Sequence, residues 1–346
     1  MFFRRLTTSL AVVVVPMWLS GAAVAQTVEE FYSGHTVTFT VSAPAGTLTD
    51  VVARQFAPYF TRYMEGNPRV VVQNVAGAGG MLAAAQLQQG SATDGTVIGF
   101  LQRNNLYVPL VEDNFSSFDP REVTWLGSLE KVDYSIVVAG SSSPQSTEDL
   151  FNQEVFLGAT GYSNENRTIP ALLNDRIGTQ FNIIHGYSGR GEVYLAMERG
   201  EVDGWASTVA GLAVGDTRRQ VEEGELRVLL HLGWTSHPAF PDVPNLTSYV
   251  AEEDRALLDF FILPLAVGRP IAVPAGVPQD RVDALEAAIA AAASDPDFIA
   301  EMEAQGYLIE PVSGDAVTEI IQTLFATPSE ALEEVRALMT AREPGN

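Results

Sequence analysis

The chain contains no cysteine, which rules out disulfides and thiolate metal sites. It contains one lysine, Lys131, and its 43 acidic side chains outnumber 20 basic ones, for a formal charge of −23. A surface this anionic argues against nucleic acid and anionic membranes as partners. An anionic ligand remains open to it where local donors in a cleft outweigh a screened global repulsion. The four histidines (His35, His185, His231, His237) show no metal-ligand spacing, so no metal is expected. The apolar run at 10–19 is too short to span a bilayer, and no later run is long enough. Two motifs are also incomplete. Gly77-Ala78-Gly79-Gly80 lacks the third glycine of a dinucleotide fingerprint, since Leu82 or Ala83 stands there, so no nucleotide cofactor is expected. Gly186-Tyr187-Ser188-Gly189-Arg190 has Arg190 where a nucleophile elbow needs its last glycine. With no histidine partner evident for Ser188, no catalytic residue is assigned.

What is present begins with an address. Met1-Phe2-Phe3-Arg4-Arg5, an apolar run from Leu10 to Leu19 and Ala23-Val24-Ala25 read as a leader over 1–25, cut near Ala25, with an uncleaved anchor as the rival reading. The mature chain is then a periplasmic protein carrying −25, because Arg4 and Arg5 leave with the leader. The organising stretch is Asn74–Ala85. The β-branched run Val70-Val71-Val72 precedes it and an Ala-rich helix former follows, so Gly77, Gly79 and Gly80 fall at a strand-to-helix turn. Such a turn gathers unpaired N–H groups at the positive end of a helix and suits an anion. The same glycines also serve simply to let the chain turn tightly.

A second turn of this kind lies between the strand pattern of Val37–Val41 and the helical spacing of Val52, Phe56, Tyr59 and Phe60, with Asp50 as its cap. A third strand, Thr96–Leu101, ends at Gln102-Arg103-Asn104. Three successive βα units predict a parallel sheet whose strand ends share one edge, where ligands of open α/β sheets bind. Strands are also predicted at 123–129, 135–139, 155–159, 181–184 and 202–207. Helices follow Thr160-Gly161-Tyr162-Ser163 and Gly186–Arg190, and four more lie beyond Pro278, Asp295-Pro296, Ser313 and Thr327-Pro328-Ser329.

In this order and spacing the motifs resemble the extracytoplasmic solute receptors of the tripartite tricarboxylate transporter family, the Bug-type receptors. The carriers are Ala43–Arg54, Val71–Gly80, Asp94–Gly99, Gly186–Gly189, Gly200–Asp203, Pro241–Pro244 and Val273–Pro278, spanning nearly all of the mature chain. The resemblance implies an α/β, two-domain periplasmic-binding-protein (venus flytrap) fold, each domain a mostly parallel sheet flanked by helices. It implies a first domain made of 26–131 and 268–346, a second of 136–258, and connectors near 129–135 and 259–269. It further implies a small carboxylate ligand held between the domains by backbone N–H groups, hydroxyls and waters, and integral-membrane transporter subunits as partners of a monomer. On this chain the first-domain contacts would be Ala45, Gly46, Thr47, Asp50, Gly79 and Gly80. The second-domain contacts would be Thr160, Gly161, Tyr162, Ser163, Tyr187, Ser188, Gly189 and Asp203. Thr47 stands where the family usually has a glycine, and either adds a hydroxyl or narrows the pocket. Arg103 and Arg190 are additional anion contacts by position; each also reads as an ordinary surface arginine. Two other functions fit the same sequence: a receptor that reports ligand to a membrane signalling partner, and an enzyme acting on a small organic acid.

Overall fold

The computed structural model describes residues 26–112, 117–160 and 164–340, so the leader expected at 1–25 lies outside the described residues. The described strands are β1 Thr36–Val41, β2 Arg69–Asn74, β3 Val97–Phe100, β4 Val123–Ser128, β5 Tyr134–Ala139 and β6 Val155–Ala159. They continue with β7 Phe181–His185, β8 Gly204–Thr208, β9 Leu226–His231, β10 Pro270–Pro274 and β11 Val312–Ser313. They form two sheets, ordered β11-β4-β10-β3-β1-β2 and β7-β6-β8-β5-β9.

The three βα units at the start give the parallel run β2-β1-β3, and β7-β6-β8 is its counterpart in the second sheet. The sheets are mixed, however, rather than mostly parallel. β10 is antiparallel to β3 and β4, and β5 is antiparallel to β8 and β9. The reason is the path of the chain. β5 and β10 are the first strands after the chain crosses from one sheet to the other. A strand entering from the facing edge must run against the βα-unit strands, which end there.

The two crossings pair with each other: Val132 N–H donates to Leu265 O at 2.7 Å and Gly268 N–H to Glu130 O at 2.8 Å. Arg269, buried, forms an ion pair with Glu130 across them. Apolar packing fixes each sheet separately. Helix Leu48–Tyr63 turns Val52, Phe56 and Phe60 onto the first sheet. Phe39, Phe56, Phe60, Phe100 and Phe298 then interlock with ring centroids 4.7 to 6.4 Å apart. Each fully buried ring contributes about 2–3 kcal/mol by removal from water. Helix Arg190–Glu198 does the same on the second sheet through Val193, Ala196 and Met197.

Three elements go beyond what the sequence pattern announced. Helix Gly215–Glu222 has no buried residue, so it offers no apolar stripe to read. β9 follows a polar turn and carries a short apolar run too brief to distinguish strand from helix. Helix Glu252–Ile262 buries Leu257, Leu258, Phe260 and Ile262 on more than one side, which blurs its period. No described helix is long and apolar enough to cross a membrane.

Candidate functional site

The parallel strands of both sheets end at the space between them. From the first sheet come the segments after β1, β2 and β3. From the second come those after β6, β7 and β8. The pieces are thereby brought to one place although they span positions 42 to 211.

The turn after β1 is built around Asp50, which is 3% exposed. Its carboxylate accepts from Gly46 N–H at 2.8 Å, Arg54 Nε at 2.9 Å and Asn74 Nδ2 at 2.9 Å. Burial works to raise its pKa, but the Arg54, Gly46 and Asn74 hydrogen bonds outweigh burial and hold it below the usual value. Thr47 Oγ1 donates to Pro44 O at 2.7 Å, so that hydroxyl braces its own loop. Ala45 and Gly46 stand exposed at the loop tip.

The turn after β2 has four successive residues at positive φ: Gly77 at 147°, Ala78 at 48°, Gly79 at 62° and Gly80 at 92°. Side chains from neighbouring turns hold it. Asn104 Nδ2 donates to Gly79 O at 2.9 Å. A Cβ on Gly80 would lie 3.0 Å from Ser42 O and 3.2 Å from Gln102 Nε2, so only glycine lets the turn sit this close to its neighbours. Gln102 Nε2 in turn donates to Ser42 O at 2.6 Å. Residues 76–79 are exposed.

In the second sheet the expected contacts are bound up locally. Ser188 N–H and Oγ both donate to Glu192 Oε2, at 2.6 and 2.8 Å. Thr160 Oγ1 accepts from Asn164 Nδ2 at 2.7 Å and Asn166 Nδ2 at 3.1 Å. Tyr187 packs its ring beside Gly158. Gly189 is extended at φ 168°, which any residue adopts. Gly161, Tyr162 and Ser163 lie outside the described residues.

Two expected contacts need correction. Asp203 precedes β8, at the edge of the sheet opposite the facing space. Its Oδ2 accepts from Phe156 N–H at 2.9 Å and its main chain joins β6 to β5. It is a strand clamp. Asp50 reaches the space only through the loop it braces, because its buried carboxylate is already engaged by three donors.

Deep between the sheets is a cleft of about 710 Å³. Of the described residues expected as contacts, Arg103 and Arg190 alone line it; the exposed turns around Gly46, Gly79 and Ser188 stand outside it. Its floor is the pair of crossings, with Glu130, Lys131 and Val132 from one and Gly268 and Arg269 from the other. Arg190, Thr208 and Gly211 line the second-sheet side, and Gln102 and Asn104 the first. Arg190 Nη1 donates to Gly211 O at 3.2 Å, tying the turns after β7 and β8 together. Thr208 Oγ1 caps the short helix Val209–Ala213 by accepting from Gly211 N–H at 3.2 Å.

Arg103 spans the cleft. Its Nη2 pairs with Glu165 Oε1 at the start of helix Glu165–Ile177, and the side chains are 19% and 34% exposed. Burial raises the pKa of both tyrosines beside this pair. Tyr107 is shifted upward and Tyr134 is pushed up to about 12, so both keep their protons and stay hydrogen-bond donors.

Lys131 could have been singled out as the lone lysine of the sequence. Arg269, Thr208 and Tyr307 carry no such mark, because only the crossings and a late loop bring them to the cleft.

A family model described as the tripartite tricarboxylate transporter family receptor, TctC, matches residues 52–327. The chain is 24% identical over 331 residues to a UPF0065 protein from the TAR-I ttuE-ttuC' intergenic region of Agrobacterium vitis, covering 91% of this chain and 85% of that protein. The fold is similar to a TctC solute binding protein from Polaromonas, with a TM-score of 0.70, 19% identity, and 89% and 99% of the two chains covered. It is also similar to Rpa4515 of R. palustris, solved with adipate, with a TM-score of 0.55, 18% identity, and 86% and 96% covered.

Proposed function

The chain belongs to the tripartite tricarboxylate transporter receptor family, and from that premise we propose that it captures a small carboxylate between its two sheets and delivers it to the membrane subunits of a tripartite transporter. The observation that carries this reading is the charge of the cleft. In a chain of formal charge −23, the only lysine and three arginines line one cavity. Arg103 and Arg269 are paired with Glu165 and Glu130. Lys131 and Arg190 are not ion-paired among the described residues, and these two cations remain for an anionic ligand. The turns at 45–47 and 77–79 on one rim, and at 188–189 on the other, then close over it.

The magnitudes support the scheme. A charge-assisted hydrogen bond contributes about 1.5–3 kcal/mol, and a micromolar complex needs roughly 8 kcal/mol net. Two cations and a few backbone donors suffice after ordering costs. The adipate held by the R. palustris relative is a ligand of the same chemistry.

On this reading the leader is removed near Ala25, the protein works as a monomer outside the cytoplasm, residues 136–258 move as one domain against the rest, and the bound acid is released unchanged. Calorimetry of the mature chain against mono-, di- and tricarboxylates and NAD is the test. Binding of an acid, with a smaller radius of gyration by small-angle X-ray scattering and no turnover by NMR, is expected. Failure of every acid, or binding of NAD alone, overturns the proposal.

A further inference from the structure

A side cavity of about 430 Å³ opens beside the cleft, and the two share Arg103, Tyr107 and Glu165. Its size falls within the range of small-molecule sites. Its lining is more apolar than that of the cleft: Ala171 and Leu172 stand on one side and Phe260, Phe261 and Leu265 on another, beside the polar Arg167, Thr168 and Asp175. The terminal helix Ser329–Thr340 adds Leu338 and Met339, which remain 43% and 37% exposed. Apolar side chains left in water around a concave space mark a place where apolar surface is to be covered.

We propose that this cavity takes the apolar body of the ligand, so that the preferred acids carry an aliphatic chain. The inference rests on the carboxylate reading above and names the class of acid. The chain enters at the junction, where Arg103, Tyr107 and Glu165 line both cavities, and the head group stays in the cleft with Lys131 and Arg190. Every acid presents the same carboxylate to those cations, so the head group discriminates weakly between acids. The walls around Phe260 and Phe261 then supply the discrimination, through each methylene they remove from water. That is about fourfold in affinity per methylene, the equivalent of ~0.8 kcal/mol.

The experiment is calorimetry on the mature chain with butanoate, hexanoate, octanoate and succinate, repeated on Ala171→Trp and Met339→Glu. Ala171 is half-buried on the cavity wall, so tryptophan there fills the space. Met339 is exposed near the end of a helix, and its replacement leaves folding intact even if Ala171→Trp does not fold. Affinity should rise about fourfold per methylene from butanoate to octanoate. The rise should vanish in Ala171→Trp and shrink several-fold in Met339→Glu, while succinate binds all three proteins alike. Succinate binding with no dependence on chain length overturns the inference and leaves the carboxylate reading intact. So does a chain-length dependence that survives unchanged in both variants. Failure of all four acids, together with the wider panel above, overturns both.

Discussion

The two rims of the cleft use the same chain topology for opposite purposes. On the first-sheet rim side chains hold the backbone in place: Asp50, Asn74, Gln102 and Asn104 fix two turns whose tips are exposed. On the second-sheet rim the turn hydroxyls are spent on their own loops, Ser188 on Glu192 and Thr160 on Asn164 and Asn166. What that rim offers is charge, with Arg190 and Glu165 standing over a floor that carries Lys131. One rim thus provides shape and neutral N–H donors, and the other, with the floor, provides sign. A residue type that looks like a ligand contact in sequence can therefore be a brace, and its neighbours decide which.

The largest effect should come from removing the first-rim brace. Asp50→Ala leaves Gly46 N–H, Asn74 and Arg54 without their shared acceptor. Loss of one member of a buried, hydrogen-bonded charge pair costs about 3–5 kcal/mol. Arg54 is half exposed and recovers solvation, so a loss of about 3 kcal/mol in urea denaturation is expected. Ser188→Ala, the matching change on the other rim, should leave the midpoint nearly unmoved.

Beside the floor the comparison sharpens with pH. His231 lies on β9 with Nδ1 3.2 Å from Ser135 Oγ, and its ring centroid is 5.8 Å from that of His237. Burial, with His237 and Lys131 adding, lowers its pKa to about 4. The unfolded chain takes up this proton near pH 6.5 and the folded chain near 4. Stability is therefore fully present above pH 6.5 and is lost as pH falls from 6.5 to 4, by about 3 kcal/mol in total. Urea midpoints measured across that window should fall in the parent and fall less in His231→Gln. Equal slopes would remove His231 from the account.

Next is ligand binding at the glycine turn. Gly79→Asp places bulk and negative charge on the exposed tip, and loss of one charge-assisted bond of about 1.5–3 kcal/mol predicts at least tenfold weaker carboxylate binding. Its backbone, φ 62° and ψ 24°, is in the left-handed region that aspartate adopts more readily than most residues, and a Cβ there meets only Asn104 Nδ2, at 3.1 Å, so the fold should survive at a cost of about 1 kcal/mol. Gly90→Asp, where a Cβ meets nothing within 4 Å, is the control and should bind normally. Wild-type affinity in folded Gly79→Asp would mean that the first rim does not contact the ligand.

The smallest effect tests the floor. Lys131→Met should weaken carboxylate binding about threefold to tenfold at low ionic strength, with the difference narrowing at about 0.5 M salt, while Lys131→Arg retains most of the affinity. A salt-independent loss would point to packing rather than charge.

Much of this was legible in residue order. The alternation of Val37–Val41, the run Val70–Val72 and the glycines at 77, 79 and 80 announced the first-sheet turns, because strand and turn preferences act over a few residues. Asp50 was legible as a loop brace, and the structure adds that this occupies its whole carboxylate. Asp203 was misplaced because its neighbours in sequence do not reveal which edge of the sheet it occupies; that depends on the direction of β8. The reversed strands β5 and β10 were equally hidden, since direction depends on where the chain crosses.

The sequence by itself determined the local units, the excess of negative charge and the exclusion of thiolate chemistry, all of which follow from residue type and short spacing. It also carried the family resemblance, through the order of weak motifs along the chain. Only the tertiary structure decided that Arg103, Lys131, Arg190 and Arg269 line one cleft and that Arg103 pairs with Glu165 across it. Those groups lie tens to more than a hundred residues apart, and two paired crossings and two separately packed sheets bring them together. No pattern of a few residues encodes a distance of that kind.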